Sequence, residues 1–65
     1  MKTRYDPNSD ALYLRFAETP VAESEEVRPG IMLDFDASGR IVAIEVLDAS
    51  VHLASGAELT KLTAA

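Results

Sequence analysis

Sixty-five residues make one domain, and a chain this short buries only about 60% of the surface its unfolded form exposes. Small domains often add a disulfide, a metal or a partner chain, and the absence of cysteine removes the first of these. The net charge of −5, from eleven acidic and six basic residues, argues against direct nucleic-acid binding, which needs clustered Lys and Arg. The longest apolar run, IVAI (41 to 44), is far short of the roughly 20 residues that span a membrane. MKTRYDPNSD carries charge with no apolar core behind it, unlike a signal peptide, so the expectation is a cytoplasmic protein.

Taken in chain order, KTRY opens as a weak strand. DPNS (6 to 9) follows, with Pro7 at the second position of a type I turn. ALYLRF (11 to 16) alternates Leu12, Leu14 and Phe16 against Tyr13 and Arg15, the period of a half-buried strand. AESEEV (22 to 27) is a mostly acidic strand candidate. Arg28-Pro29-Gly30-Ile31 fits a type II turn, with Gly30 at the position that requires positive φ. IMLDF (31 to 35) and IVAIEVL (41 to 47) alternate again, joined by DASG (36 to 39), a type I turn with Gly39 in the left-handed region. ASVHLAS is a short helix candidate that Asp48 or Ser50 can cap and Gly56 ends.

The fold class expected is α+β, mostly β: a small antiparallel meander of four to five strands with a short C-terminal helix. Residues 1–55 form the domain, and 56–65 read as a flexible or weakly helical tail, separable from the fold. In the expected register Tyr5 opposes Leu12, Arg15 opposes Glu23, Val27 opposes Met32 and Phe35 opposes Arg40. Ala22, Ser24 and Glu26 then share the core face, where Glu26 is in conflict. Val27, Met32, Ile41, Ala43 and Leu47 fall on the outward face, rimmed by Arg15, Glu25, Asp34 and Glu45. An apolar patch inside a charged rim is the anatomy of a protein-binding surface.

DFDASGRIVAIE (34 to 45) places Asp34, Asp36, Ser38, Gly39 and Glu45 at positions 1, 3, 5, 6 and 12 of a calcium loop. That loop needs a helix on each side. Here Pro29 and Gly30 break the incoming segment, and the outgoing one is β-branched, so a hairpin is the better account. His52 and Asp48 are too few for a metal site and read as a surface histidine beside a helix cap. Glu23, Glu25 and Glu26 read as exposed edge charges rather than a catalytic pair, which would need a cleft. No catalytic, cofactor-binding or metal-ligating residue is assigned, and an enzyme is not expected.

YDPNSDALYLRF and VAESEEVRPGIMLDFDASGRIVAIEVLDAS together resemble a small prokaryotic family, domain of unknown function 2283. The resemblance rests on Y-D-x-x-x-D-A-L-Y, an E-S-E stretch and D-x-D-x-x-G-R-I-V-x-I-E-V-L-D-A-S, over residues 5 to 50. Ala43 stands where the family typically has Gly. The resemblance implies a small β-rich domain without an established activity. Its members are often encoded beside small toxin-like ribonucleases, which implies an antitoxin-like role. The expected function is therefore an acidic protein-binding module whose partner is a second copy or a small basic toxin-like protein, with no cofactor. The alternatives are a small enzyme using sheet carboxylates or a homo-oligomeric structural protein.

Overall fold

The computed structural model describes residues 2–59. It contains five strands and one short helix: β1 (Lys2–Asp6), β2 (Ala11–Arg15), β3 (Glu23–Arg28), β4 (Ile31–Phe35), β5 (Ile41–Val46) and α1 (Ala49–His52). The strands form one open sheet, every neighbouring pair antiparallel, in the order β1-β2-β5-β4-β3. The antiparallel sheet and short C-terminal helix are those expected, but a strictly sequential meander would leave β5 at the edge.

Instead β5 lies in the centre, and Arg15 opposes Ala43 rather than Glu23. Composition explains the exchange. Val42, Ala43 and Val46 of β5 are buried, as befits a strand with neighbours on both sides, whereas all six residues of β3 are exposed. An acidic strand is suited to an edge, where its charges oppose further pairing. The connection 16–22 makes the crossing feasible. Seven residues reach roughly 23 Å, and passing two intervening strands requires about 14 Å.

The β1–β2 hairpin has the expected register, Tyr5 opposite Leu12 and Thr3 opposite Leu14. The other two registers differ from expectation. Asp36 accepts the Ser38 N–H (2.9 Å), the Ser38 hydroxyl (2.7 Å) and the Arg40 N–H (3.0 Å) on one carboxylate oxygen. Asp36 N–H also donates to the Arg40 carbonyl, so these two residues close the β4–β5 turn and Phe35 opposes Ile41 rather than Arg40. Val42 is then an additional residue on β5, and beyond it Asp34 opposes Ala43, Met32 opposes Glu45 and Ile31 opposes Val46. On β3 the additional residue is Val27, so Glu26 opposes Met32 and Ser24 opposes Asp34. That one-residue slip moves Ser24 and Glu26 off the core face and removes the conflict at Glu26.

Cross-strand partners share a face, so the registers define two. On one, Tyr5, Leu12, Val46 and Ile31 form a row on which Ala49, Leu53 and Leu59 pack. Leu59 lies beyond Gly56, in the segment expected to be separable; Leu62 lies outside the described residues. On the other face, Arg15 donates to the carbonyls of Ala17 (2.8 Å) and Thr19 (2.9 Å), and Glu18 lies 3.9 Å from Arg15 and 4.0 Å from Lys2. These contacts hold the connection 16–22 against that face as a strap, and Ala43 in the same row is fully buried.

The helix is anchored from outside itself. Asp48, with φ 51°, occupies the N-cap position but makes no side-chain cap. Asp10 does so instead, accepting the Ser50 N–H at 3.1 Å and the Ser50 hydroxyl at 2.6 Å, while its own carbonyl accepts the Ala49 N–H at 2.8 Å. Tyr5 donates its phenolic hydroxyl to the same carboxylate at 2.6 Å.

Candidate functional site

The helix-bearing face is covered at one end only. Beyond the row under α1, Leu14, Ile44 and Leu33 form a second row and remain half-buried. The third row brings Phe16 beside Val42, through Phe16 N–H to the Val42 carbonyl at 2.8 Å, and Ile41 opposite Phe35. Phe16 and Ile41 are each 45% exposed and Phe35 is half-buried. Four-residue α1 is about 6 Å long, too short to reach these rows. Among the described residues, a part-open apolar surface is therefore left around a buried Val42, on the face that elsewhere forms the core. Its border on β3 is acidic: Glu25 opposes Leu33 and Glu23 opposes Phe35.

The opposite face carries a polar cluster drawn from four strands. Ser24 donates its hydroxyl to Asp34 Oδ1 at 2.6 Å, which serves a carboxylate only 4% exposed. Glu45, one row along on the neighbouring strand, contacts Asp34 through its carboxyl. Burial holds the Glu45 pKa above the ordinary carboxylate range, and the hydrogen bond to Asp34 and the repulsion of its charge raise it further. Tyr13 opposes Glu45, and its hydroxyl accepts from Arg15 Nη1 at 3.2 Å. Chemically, this is a carboxyl pair in which Glu45 holds its proton more readily than an ordinary glutamate. Asp34 is already bonded to Ser24 and offers almost no surface to a second molecule.

The five residues expected to form an outward patch do not gather. Met32 is half-buried between Glu45 and Glu26, Ala43 is fully buried, and Val27 is exposed at the bulge of an edge strand. Leu47 lies just past β5, its N–H bonded to the Gly30 carbonyl at 2.7 Å. Ile41 belongs to the helix-bearing face, where it joins Phe16 and Phe35. The bulge at Val42, which sets Ile41 opposite Phe35, separates it from the other four. Of the expected rim, Asp34 and Glu45 do meet, but as partners of each other.

The calcium-loop spacing resolves into two separate structures. Asp36, Ser38 and Gly39 make the hairpin turn, with Gly39 at φ 83°, while Asp34 and Glu45 belong to the polar cluster. His52 is exposed, and its Nδ1–H donates to the Leu47 carbonyl at 2.8 Å. Among the described residues no group of three His, Cys, Asp or Glu side chains is placed to hold a metal, and no helix is long and apolar enough to cross a membrane.

Residues 2–50 match the family model described as Protein of unknown function (DUF2283). The match runs from the start of β1 to Ser50, and so includes both partners of the Asp10–Ser50 contact. No curated protein and no solved structure matches the chain.

Proposed function

We propose, from the premise that the chain belongs to the DUF2283 family of unknown function, that it is an acidic, cytoplasmic protein-binding module, antitoxin-like in neutralising a small basic ribonuclease. The observation that carries this reading is the open apolar half of the helix-bearing face. Phe16 and Ile41 are each 45% exposed there, beside half-buried Leu14, Leu33, Phe35 and Ile44, on a chain too small to bury them fully itself. The charge of −5 supports a basic partner, since opposite charge accelerates encounter and disfavours wrong partners. The role is non-catalytic. A carboxylate enzyme would use Asp34 and Glu45, whose contact is accounted for by mutual hydrogen bonding, or the Glu23 to Glu26 run, which lies exposed on an edge strand rather than in a cleft.

Co-expression with the product of the adjacent gene tests the reading. The expected result is stoichiometric copurification and relief of any growth arrest that the neighbour causes alone, both lost in Ile41→Asp. If arrest is the same with and without this chain and nothing copurifies, the antitoxin-like reading fails. Purification of a homo-oligomer that Ile41→Asp dissociates would favour self-association through the same face.

A further inference from the structure

We infer that the open half of the helix-bearing face receives a basic amphipathic helix of the partner protein, laid across the strands beside α1. The inference rests on the protein-binding reading and specifies what is bound and how. The part-open surface is two rows deep: Leu14, Ile44 and Leu33, then Phe16, Ile41 and Phe35 around a buried Val42. Rows on one face of a sheet are about 7 Å apart, and a helix is about 10 Å in diameter, so one helix covers both. Crossing β2, β5, β4 and β3 is about 14 Å, or roughly ten helical residues.

This arrangement completes a layer the chain begins. The first row is covered by Ala49 of α1 with Leu53 and Leu59, so a second helix would continue the helix-on-sheet packing already present. An added strand would instead use the backbone of an edge and leave the apolar rows uncovered. Charge gives the occupant its sign. Glu23 and Glu25 stand at the β3 end of the two open rows, directly opposite Phe35 and Leu33. A helix with an apolar stripe flanked by Lys or Arg meets both features. A second copy of this acidic chain would bring like charge to that border.

The test uses three labelled 18-residue peptides and fluorescence anisotropy: a Leu/Lys peptide with helical periodicity, its Leu/Glu counterpart, and a Leu/Lys peptide alternating with period two. The full chain should bind the basic helical peptide at least about tenfold more tightly than either of the others. Ile41→Asp and Phe16→Ser, both at exposed positions, should each weaken binding about tenfold with the circular dichroism spectrum unchanged. Glu23→Lys combined with Glu25→Lys should remove the preference for the basic peptide. Equal affinity of the native chain and Ile41→Asp for the basic helix overturns the inference. So does preferential binding of the alternating peptide that is abolished by Ser24→Pro on the β3 edge, although protein binding as such would then stand. Failure of the protein-binding reading itself is reported separately, by the co-expression experiment.

Discussion

Asp10 and Ser50, forty positions apart in the chain, are joined by a carboxylate that accepts both the backbone N–H and the hydroxyl of Ser50. A helix of four residues cannot sustain itself, because nucleation is unfavourable and few hydrogen bonds follow it. The turn between β1 and β2 therefore supplies the cap that α1 lacks, and Tyr5 fixes the capping carboxylate from the adjoining strand.

Asp10→Ala should consequently lower the melting temperature by several degrees, and Ser50→Ala by less, since the Ser50 N–H contact survives. The Ser50 hydroxyl, followed by that of Tyr5, holds the Asp10 pKa below the ordinary carboxylate range. A lowered folded-state pKa contributes stability above the unfolded value and loses it as pH falls through the folded one. Thermal melts should therefore show the native chain losing its advantage over Asp10→Ala on the acid side of about pH 4. A pH-independent difference would mean that the carboxylate charge is not what matters.

Glu45 has the opposite sign. Its pKa is raised, so the folded chain holds that proton more tightly than the unfolded chain does. The resulting stability is present below the ordinary glutamate value and declines as pH rises through the folded one. Glu45→Gln keeps a donor toward Asp34 at every pH. It should match the native chain in acid and exceed it in melting temperature at neutral pH. Equal destabilisation at both pH values would show that the carboxyl pair is not coupled.

Gly30 and Gly39 both have φ of 83° and differ in their surroundings. Around Gly39 a Cβ meets nothing within 4 Å, so Gly39→Ala should cost only the left-handed strain, about 1 to 2 kcal/mol. At Gly30 a Cβ would lie 3.0 Å from His52 Cε1, on a ring held by its bond to the Leu47 carbonyl. Denaturant melts should rank Gly30→Ala as the more damaging. The double variant with His52→Ala should recover part of the excess. Additive costs would rule out the contact.

Leu59 packs against Leu12, Val46 and Ala49. Leu59→Ala should cost about 1 to 2 kcal/mol, less than a fully buried leucine, and deletion of 57–65 at least as much. An unchanged melting temperature for both would show that this contact contributes nothing to the core.

Much of the sheet was legible from residue order alone. The alternation of Leu12, Leu14 and Phe16, and the turn chemistry at Pro7, Gly30 and Gly39, locate all five strand segments. Strand order required a comparison between segments: β5 is apolar at all but Glu45, whereas β3 carries three glutamates and is exposed throughout, which distinguishes centre from edge. The slips at Val27 and Val42 were not legible, because a bulge is a one-residue adjustment settled by tertiary fit. The candidate surface was missed for the same reason. Alternation fixes faces only along an unbroken strand, and it fails for Ile41 across a bulge. The size of the open surface depends on how little sheet α1 covers, and no local pattern reports that.

The central place of β5 has a consequence for how the chain folds. Until residues 41–46 are available, β1–β2 and β3–β4 are two hairpins with no strand to join them, and an isolated hairpin is marginal in water. β5 must enter between them, pairing with β2 across roughly thirty residues of intervening chain, a non-local closure of the kind that slows folding. The domain should thus assemble in one cooperative step that waits for its last strand. A nascent chain ending before Ile41 leaves the inner edges of β2 and β4 unpaired instead of forming a stable subdomain, so any partner that needs the finished face can be met only after synthesis has passed β5.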